Sequence, residues 1–215
     1  MNKKWQWLER LGMMAFFLTA ISLAITLTIN FLPLYSWSVD QFDLLNYTTL
    51  SKKELLENYH LLLNFLNNPW NQTLALPDFP MSEAGAGHFY DVKKLFLLNY
   101  TVLAVTIIPT GIFLGYLQKN RRFWRMLLPT QIGMLAPVVF GFFMFVGFDA
   151  FFIKFHELFF SNDDWLFNPA TDPIINVLPE QFFMYCFILF FILIEIFFLV
   201  PFLLGRRELK RSSHN

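Results

Sequence analysis

The sequence predicts an all-α integral membrane protein, a four-transmembrane-helix bundle with a small extracellular cap. Three observations predict it. Of 215 residues, 56% are hydrophobic and only 15% charged, against about 25% charged in a soluble domain. The apolar residues, 29 phenylalanines among them, stand in long unbroken blocks rather than in the periodic pattern of a soluble core. Four blocks, roughly 12–34, 95–117, 126–152 and 182–204, reach the ~20 residues that a helix needs to cross a bilayer.

The first block follows Lys3, Lys4 and Arg10, as a signal peptide would. It is too long for one, and its exit, Pro33-Leu34-Tyr35-Ser36-Trp37, has no small-residue cleavage site. It reads as a retained helix. Basic residues orient the bundle. Lys3, Lys4 and Arg10, then Lys119, Arg121, Arg122 and Arg125, then Arg206, Arg207, Lys210 and Arg211 fall on one side of a four-span protein, eleven of the sixteen bases. By the positive-inside rule that side is the cytoplasm. Both termini are therefore expected inside, with the protein multi-pass in the plasma membrane. The net charge of zero hides this asymmetry, and the basic clusters need no nucleic-acid partner.

Segments 35–94 and 153–181 then face outward and form the cap on a single membrane domain. Ser51-Lys52-Lys53-Glu54 is a capping-box pattern. Leu55, Tyr59, Leu62, Leu63 and Leu66 follow at helical spacing, and Asn67-Asn68-Pro69 ends the helix. This amphipathic helix suits either the membrane interface or packing onto the cap. Residues 35–45 partly alternate, as a short strand would, and 69–87 reads as loop. The outer segments are too small for an independent domain with a large core. Asn71-Gln72-Thr73 matches a glycosylation sequon, a match too short to carry weight.

Chemistry is expected at histidine. His214 lies in the polar tail, and His60 reads as a packing residue of the cap helix. His88 precedes the second span, and His156 follows the third. A short loop joins those spans, and short loops make antiparallel neighbours, so both imidazoles belong at adjoining outer helix ends. Two imidazoles can give and take protons at neutral pH, which suits acyl transfer at an interface; each is equally explained as an amphipathic interface residue. His88, Asp91, His156 and Glu157 as zinc ligands match no H-E-x-x-H spacing. Ser82 and Ser161 lack a G-x-S-x-G elbow. The lone Cys186 excludes an intramolecular disulfide and reads as a buried small hydrophobe. Glu195, deep in the fourth span, reads as bonded to a facing polar group such as Gln131, although an intramembrane acid is by default a functional hypothesis.

The run Phe155-His156-Glu157-Leu158-Phe159-Phe160, with Asn162-Asp163, Trp165, Asp172-Pro173 and Leu178-Pro179-Glu180, resembles the lipoprotein intramolecular transacylase (Lit) family of Gram-positive bacteria. The shorter motif His88-Phe89-Tyr90-Asp91-Val92-Lys93 is similar to that family's first histidine motif. The resemblance implies an enzyme that moves the sn-2 acyl chain of a diacylglyceryl lipoprotein onto the α-amine of its own N-terminal cysteine. The product is an N-acylated, lyso-form lipoprotein. It implies catalytic roles for His88 and His156, with Tyr90, Asp91, Lys93, Glu157, Asn162, Asp163, Trp165 and Asp172 as candidates for binding or orienting substrate. It implies no cofactor and no metal, diacylglyceryl lipoproteins and membrane lipids as partners, an outward-facing site and a monomer. The other reading is a non-catalytic module that binds a lipid or partner through its acidic cap.

The topology is testable by thiol labelling. Cysteines introduced at Gln72 and at Asn168 are expected to react with an impermeant maleimide on intact cells, and one at Asn120 only after permeabilisation. Labelling at Asn120 alone on intact cells reverses the orientation.

Overall fold

The computed structural model describes residues 3–212, with side chains for 7–211; His214 and the side chains of Lys3 and Lys4 lie outside them. In chain order the elements are α1 (Lys3–Ile29), α2 (Leu32–Gln41), a 3₁₀ turn (Leu44–Tyr47), α3 (Lys52–Asn67), α4 (Glu83–Lys119), a second 3₁₀ turn (Phe123–Met126), α5 (Leu127–Val146), α6 (Phe148–Phe159), a third 3₁₀ turn (Pro173–Val177) and α7 (Glu180–Ser212). Among the described residues, four helical stretches are long and apolar enough to cross a membrane: Trp7–Ile29, Glu83–Lys119, Phe123–Val146 and Glu180–Arg211. At 1.5 Å per residue, the 37 residues of α4 extend about 55 Å, well beyond a hydrocarbon core of ~30 Å.

Several elements differ from those expected of the sequence. The first apolar block stops at Ile29, because Pro33 stands in the first turn of a new helix, where its missing N–H costs nothing. The segment expected to be a strand is that helix, α2, and no strand occurs among the described residues. Tyr35, Ser38 and Val39 are buried at helical spacing. Ser38 broke the apolar pattern, yet it is buried because its hydroxyl donates to the Leu34 carbonyl at 2.8 Å. The third block is interrupted at Gly147, whose backbone leaves the helical region (φ −169°, ψ 87°) and caps a new helix. His156, expected at the outer end of the third span, is consequently on a separate helix, α6.

The chain forms two compact units. The first comprises Met1–Thr28, Asn99–Phe145 and Ile188–Asn215. Phe16, Ala20, Ala24, Phe113, Leu117, Met126 and Phe198 form its apolar interior. Thr19 Oγ1 bonds the hydroxyls of Thr106 at 2.9 Å and Thr110 at 2.8 Å, which fastens α1 to α4. Glu9 is buried and accepts from Arg122 at 2.8 Å and from Tyr116 at 3.2 Å, and it also pairs with Arg125. Glu195 is not bonded to Gln131: its Oε1 is buried without a hydrogen-bond partner.

The second unit comprises Ile29–Leu98 and Val146–Phe187 and has a core of its own. Tyr35, Val39, Leu44, Leu55, Leu62, Phe65, Phe89, Val177 and Phe182 are buried together. The Tyr35 hydroxyl donates to the Val177 carbonyl at 3.0 Å, and its ring stacks on Tyr59 at 3.8 Å. The capping box of α3 is present: Ser51 Oγ accepts from Glu54 N–H, and Glu54 accepts from Ser51 N–H at 2.8 Å. Leu55, Leu62, Phe65 and Leu66 of α3 face this core, so α3 packs rather than floating at an interface. His60 is exposed, not packed.

Leu55→Ala is expected to destabilise the purified protein by about 2–5 kcal/mol, the cost of an emptied leucine site. Leu61→Ala, on the exposed side of the same helix, is expected to stay within about 0.5 kcal/mol. Thermal unfolding in detergent reads both.

Candidate active site

The candidate site lies within the second unit. α4 begins earlier than its apolar run, at Glu83, because Ser82 caps it: Ser82 Oγ accepts from Gly85 N–H at 3.0 Å. His88 is therefore on the second turn of α4, and α6 carries His156. Their ring centroids are 5.7 Å apart. Both are buried, at 6% and 9% exposure.

His156 Nδ1 is 2.8 Å from the Phe152 carbonyl one turn back. A carbonyl only accepts, so Nδ1 carries the proton and Nε2 is left as the acceptor of the ring. Trp165 stacks on His156 at 4.8 Å and 26°, with Phe152 at 4.3 Å. Burial among these rings pushes the His156 imidazole below its ordinary pKa, and the hydrogen bond to Phe152 offsets this only in part. His88 sits edge-on to Phe160 at 4.8 Å and to Phe167 at 5.5 Å. Its Nδ1 is buried with no hydrogen-bond partner.

The loop between α6 and α7 is fastened to α4 on both sides of His88. Asn162 donates to Asp91 Oδ2 at 3.0 Å, and Lys94 donates to the other oxygen at 2.8 Å. Asp172 is 2% exposed. It accepts from the Ser82 N–H at 2.7 Å, the Ser82 hydroxyl at 3.0 Å and the Thr171 hydroxyl at 2.6 Å. Burial opposes its ionisation, but these donors outweigh burial and hold the carboxyl below its ordinary pKa. Between the two fastenings, Trp165 and Phe167 meet the histidines.

The other candidate residues lie elsewhere. Tyr90 donates to the Gln72 carbonyl at 2.6 Å. The ammonium of Lys93 bonds the Asn71 carbonyl and lies 4.3 Å from the centroid of the Phe65 ring. Both residues brace the 69–73 loop instead of facing the histidine pair. Glu157 is exposed and paired with Lys154 at 2.6 Å, and Asp163 is exposed. Ser82 is committed to Asp172 and Gly85. Among the described residues, no three His, Cys, Asp or Glu side chains gather into a metal-binding group.

The model of the lipoprotein intramolecular transacylase Lit matches residues 10–183. The chain belongs to the lipoprotein intramolecular transacylase family. It is thereby a membrane-integral, acyl-transferring enzyme. The structure of membrane-integral Lit from Bacillus cereus is similar at a TM-score of 0.90 and 27% identity, over 98% of each chain. Two further structures of that protein, one with a histidine changed to arginine and one with it changed to alanine, match at 0.81 and 0.82, each at 27% identity. They cover 97% and 98% of this chain and 93% and 96% of theirs. No curated protein sequence matches the chain.

Several residues that shape the site in this Lit-family chain escaped the sequence reading. Phe160 and Phe167 were lost among 29 phenylalanines. Ser82 carried a usable signal, an N-cap residue before Glu83-Ala84, but Gly85 and Gly87 made the stretch read as loop. These glycines serve close approach: a Cβ on Gly85 would stand 2.3 Å from Asp172 Oδ1, and one on Gly87 2.9 Å from Asp164 Oδ2.

Gly85→Ala is therefore expected to break the Ser82–Asp172 clasp, costing about 1–3 kcal/mol as other overpacked sites do and most of the activity. Gly111→Ala, in the same helix with nothing within 4 Å of its Cβ, is expected to leave both intact. Thermal unfolding and an acyl-transfer assay on the two purified variants distinguish them.

Proposed function

We propose that this enzyme transfers the sn-2 acyl chain of a diacylglyceryl lipoprotein to the α-amine of the same molecule's N-terminal cysteine, at the outer face of the plasma membrane, with His156 and His88 as its working groups. The observation that carries this reading is the buried pair, 5.7 Å apart, in which the Nδ1 proton of His156 leaves Nε2 as an acceptor. Family membership favours catalysis over a lipid-binding module. The distribution of bases favours cytoplasmic termini and an outward site, as the sequence analysis argued. One chain holds both histidines, so a monomer suffices.

The α-amine, with an ordinary pKa of ~7.7–8.0, is partly neutral at working pH. Its nitrogen attacks the sn-2 ester carbonyl, forming a C–N bond. His156 Nε2 takes the proton that the nitrogen sheds. The remaining N–H of a neutral His88 donates to the developing oxyanion. The carbonyl then re-forms as the C–O bond breaks, and His156 returns its proton to the departing glyceryl oxygen. His156 thus serves as base and then acid, and nothing is left over: one ester becomes one amide and one hydroxyl. Because donor and acceptor are one molecule, positioning replaces several kcal/mol of entropic barrier. A base with a lowered pKa stays unprotonated in mild acid, so the loss of activity on acidification follows protonation of the α-amine, beginning near its ordinary pKa of ~7.7–8.0.

Substrate and product are isomers, which defines the test. A reporter lipopeptide treated with purified enzyme is expected to keep its intact mass. Mild alkali should release two chains from the substrate and one from the product. With isotope-labelled phospholipid present, the amide-linked chain should stay unlabelled; label there overturns the intramolecular reading. His156→Ala and His88→Ala are each expected to lose 10²–10⁴-fold in rate, the usual share of acid–base groups, while still accumulating in the membrane. Near-normal rates in both make the pair structural.

A further inference from the structure

A cleft of about 520 Å³ opens in the second unit, away from the histidine pair, and no step above uses it. The end of α3 and the start of the following loop line it with His60, Asn64, Asn67, Asn68 and Trp70, and Asn30 and Leu32 close it opposite. Among the described residues, no charged side chain lines it. Asn67 donates to Asn30 at 3.1 Å, and the side-chain oxygens of Asn64 and Asn68 accept from Asn71 at 3.1 Å and from the Trp70 N–H at 3.0 Å. The amide N–H groups of Asn64 and Asn68 still face a ligand as donors for peptide carbonyls. Trp70 is 86% exposed, and an open indole face offers apolar contact. This is the chemistry of a site that reads main chain in a sequence-tolerant way.

The cleft is joined to the helix that bears His88. Asn68, Pro69 and Trp70 line it, and the next two residues, Asn71 and Gln72, offer the carbonyls that Lys93 and Tyr90 hold. At about 100° per residue, Tyr90 and Lys93 stand roughly 200° and 140° around α4 from His88. The cleft thus flanks the opposite side of that helix from the reacting pair. A helix is about 10–12 Å across, and extended chain covers ~3.3 Å per residue. The path runs round the helix, half a circumference of roughly 16–19 Å, so about five or six residues bridge from the histidines to the cleft.

We propose that the cleft is a subsite for the polypeptide that follows the lipidated cysteine, holding its main chain while the cysteine and its ester occupy the histidine pair. The proposal rests on the transacylase reading, since it is that reaction which puts a polypeptide outside the membrane beside His88. Tyr90 and Lys93, expected from the sequence to orient substrate, do so through the loop they brace. A disaccharide also suits asparagine and tryptophan, but only the peptide is delivered by the reaction itself.

The test compares two substrates of purified full-length enzyme in detergent: a diacylglyceryl cysteine amide and a diacylglyceryl lipopeptide of about eight residues, long enough at ~3.3 Å per residue to fill the cleft. The lipopeptide is expected to show a KM about tenfold lower. Trp70→Ala and His60→Ala, both at exposed positions, are expected to erase that difference. Equal KM values for the two substrates with the parent enzyme, or a difference that survives both variants, overturn the subsite. Inhibition by free maltose without any dependence on peptide length makes the cleft a sugar site and also overturns it. Turnover of neither substrate by the parent enzyme defeats the transacylase reading, an outcome distinct from failure of the subsite alone.

Discussion

A carboxylate taken out of water must be given donors, and Asp172 is the residue on which the site's construction depends. Buried and ionised, it accepts from the backbone and side chain of Ser82 and from the hydroxyl of Thr171. Hydrogen bonds to a charged group contribute about 1.5–3 kcal/mol each, and losing one partner of a buried charge costs more than the bond was worth. The loop before α7 has no regular structure until Pro173, so nothing else of comparable strength sets its height on α4. Asp91 and Asn162 make the second fastening three residues beyond His88. With both ends pinned, Trp165 and Phe167 have one place to go, against His156 and His88. A polar clasp thereby positions an apolar lining.

That lining has a chemical consequence for the proposed transfer. The competing reaction at an activated ester is hydrolysis, and water excluded by Phe152, Phe160, Trp165 and Phe167 does not compete with an amine held in place. The same rings disfavour a charged imidazole, so His156 is kept in the form that can accept a proton. The loop that shapes the site thus also helps to lower the pKa of the imidazole proposed as its base.

Much of the scaffold was legible in the sequence, because a bilayer leaves a chain few options. With every backbone group needing an internal partner, spans are helices, and long apolar blocks give their number directly. Elements outside the blocks were harder. α2 was missed because Ser38 broke the apolar pattern, and a serine bonding its own helix carbonyl is buried at no polar cost. The first turns of α4 were missed because the glycines that let Asp172 and Asp164 approach also look like loop. α6 was hidden because Gly147 divides an apolar run that composition alone joins. The histidine pair was legible from connectivity, which brought two helix ends together. Trp165 and Asp172 were candidates through the resemblance, but Phe167 was not, since it meets His88 across some 80 residues of chain. His60 failed for a different reason: at helical spacing it borders the apolar stripe of α3, and periodicity does not say which border faces a cleft.

The residues not engaged at the site argue for the same chemistry. An acyl-enzyme route needs a nucleophile beside a base. Cys186 packs against the core of Tyr35 and Phe182, and both hydrogen-bonding roles of the Ser82 hydroxyl are taken by Asp172 and Gly85. Neither is available to hold an acyl chain. Direct attack by the substrate's own amine removes that requirement, and with it the need for a second half-reaction in which water could intervene. What the protein must then supply is one proton acceptor, one donor for the oxyanion and a dry wall. An Nδ1-protonated His156, a His88 whose own Nδ1 has no partner within the protein, and four aromatic rings meet that short list.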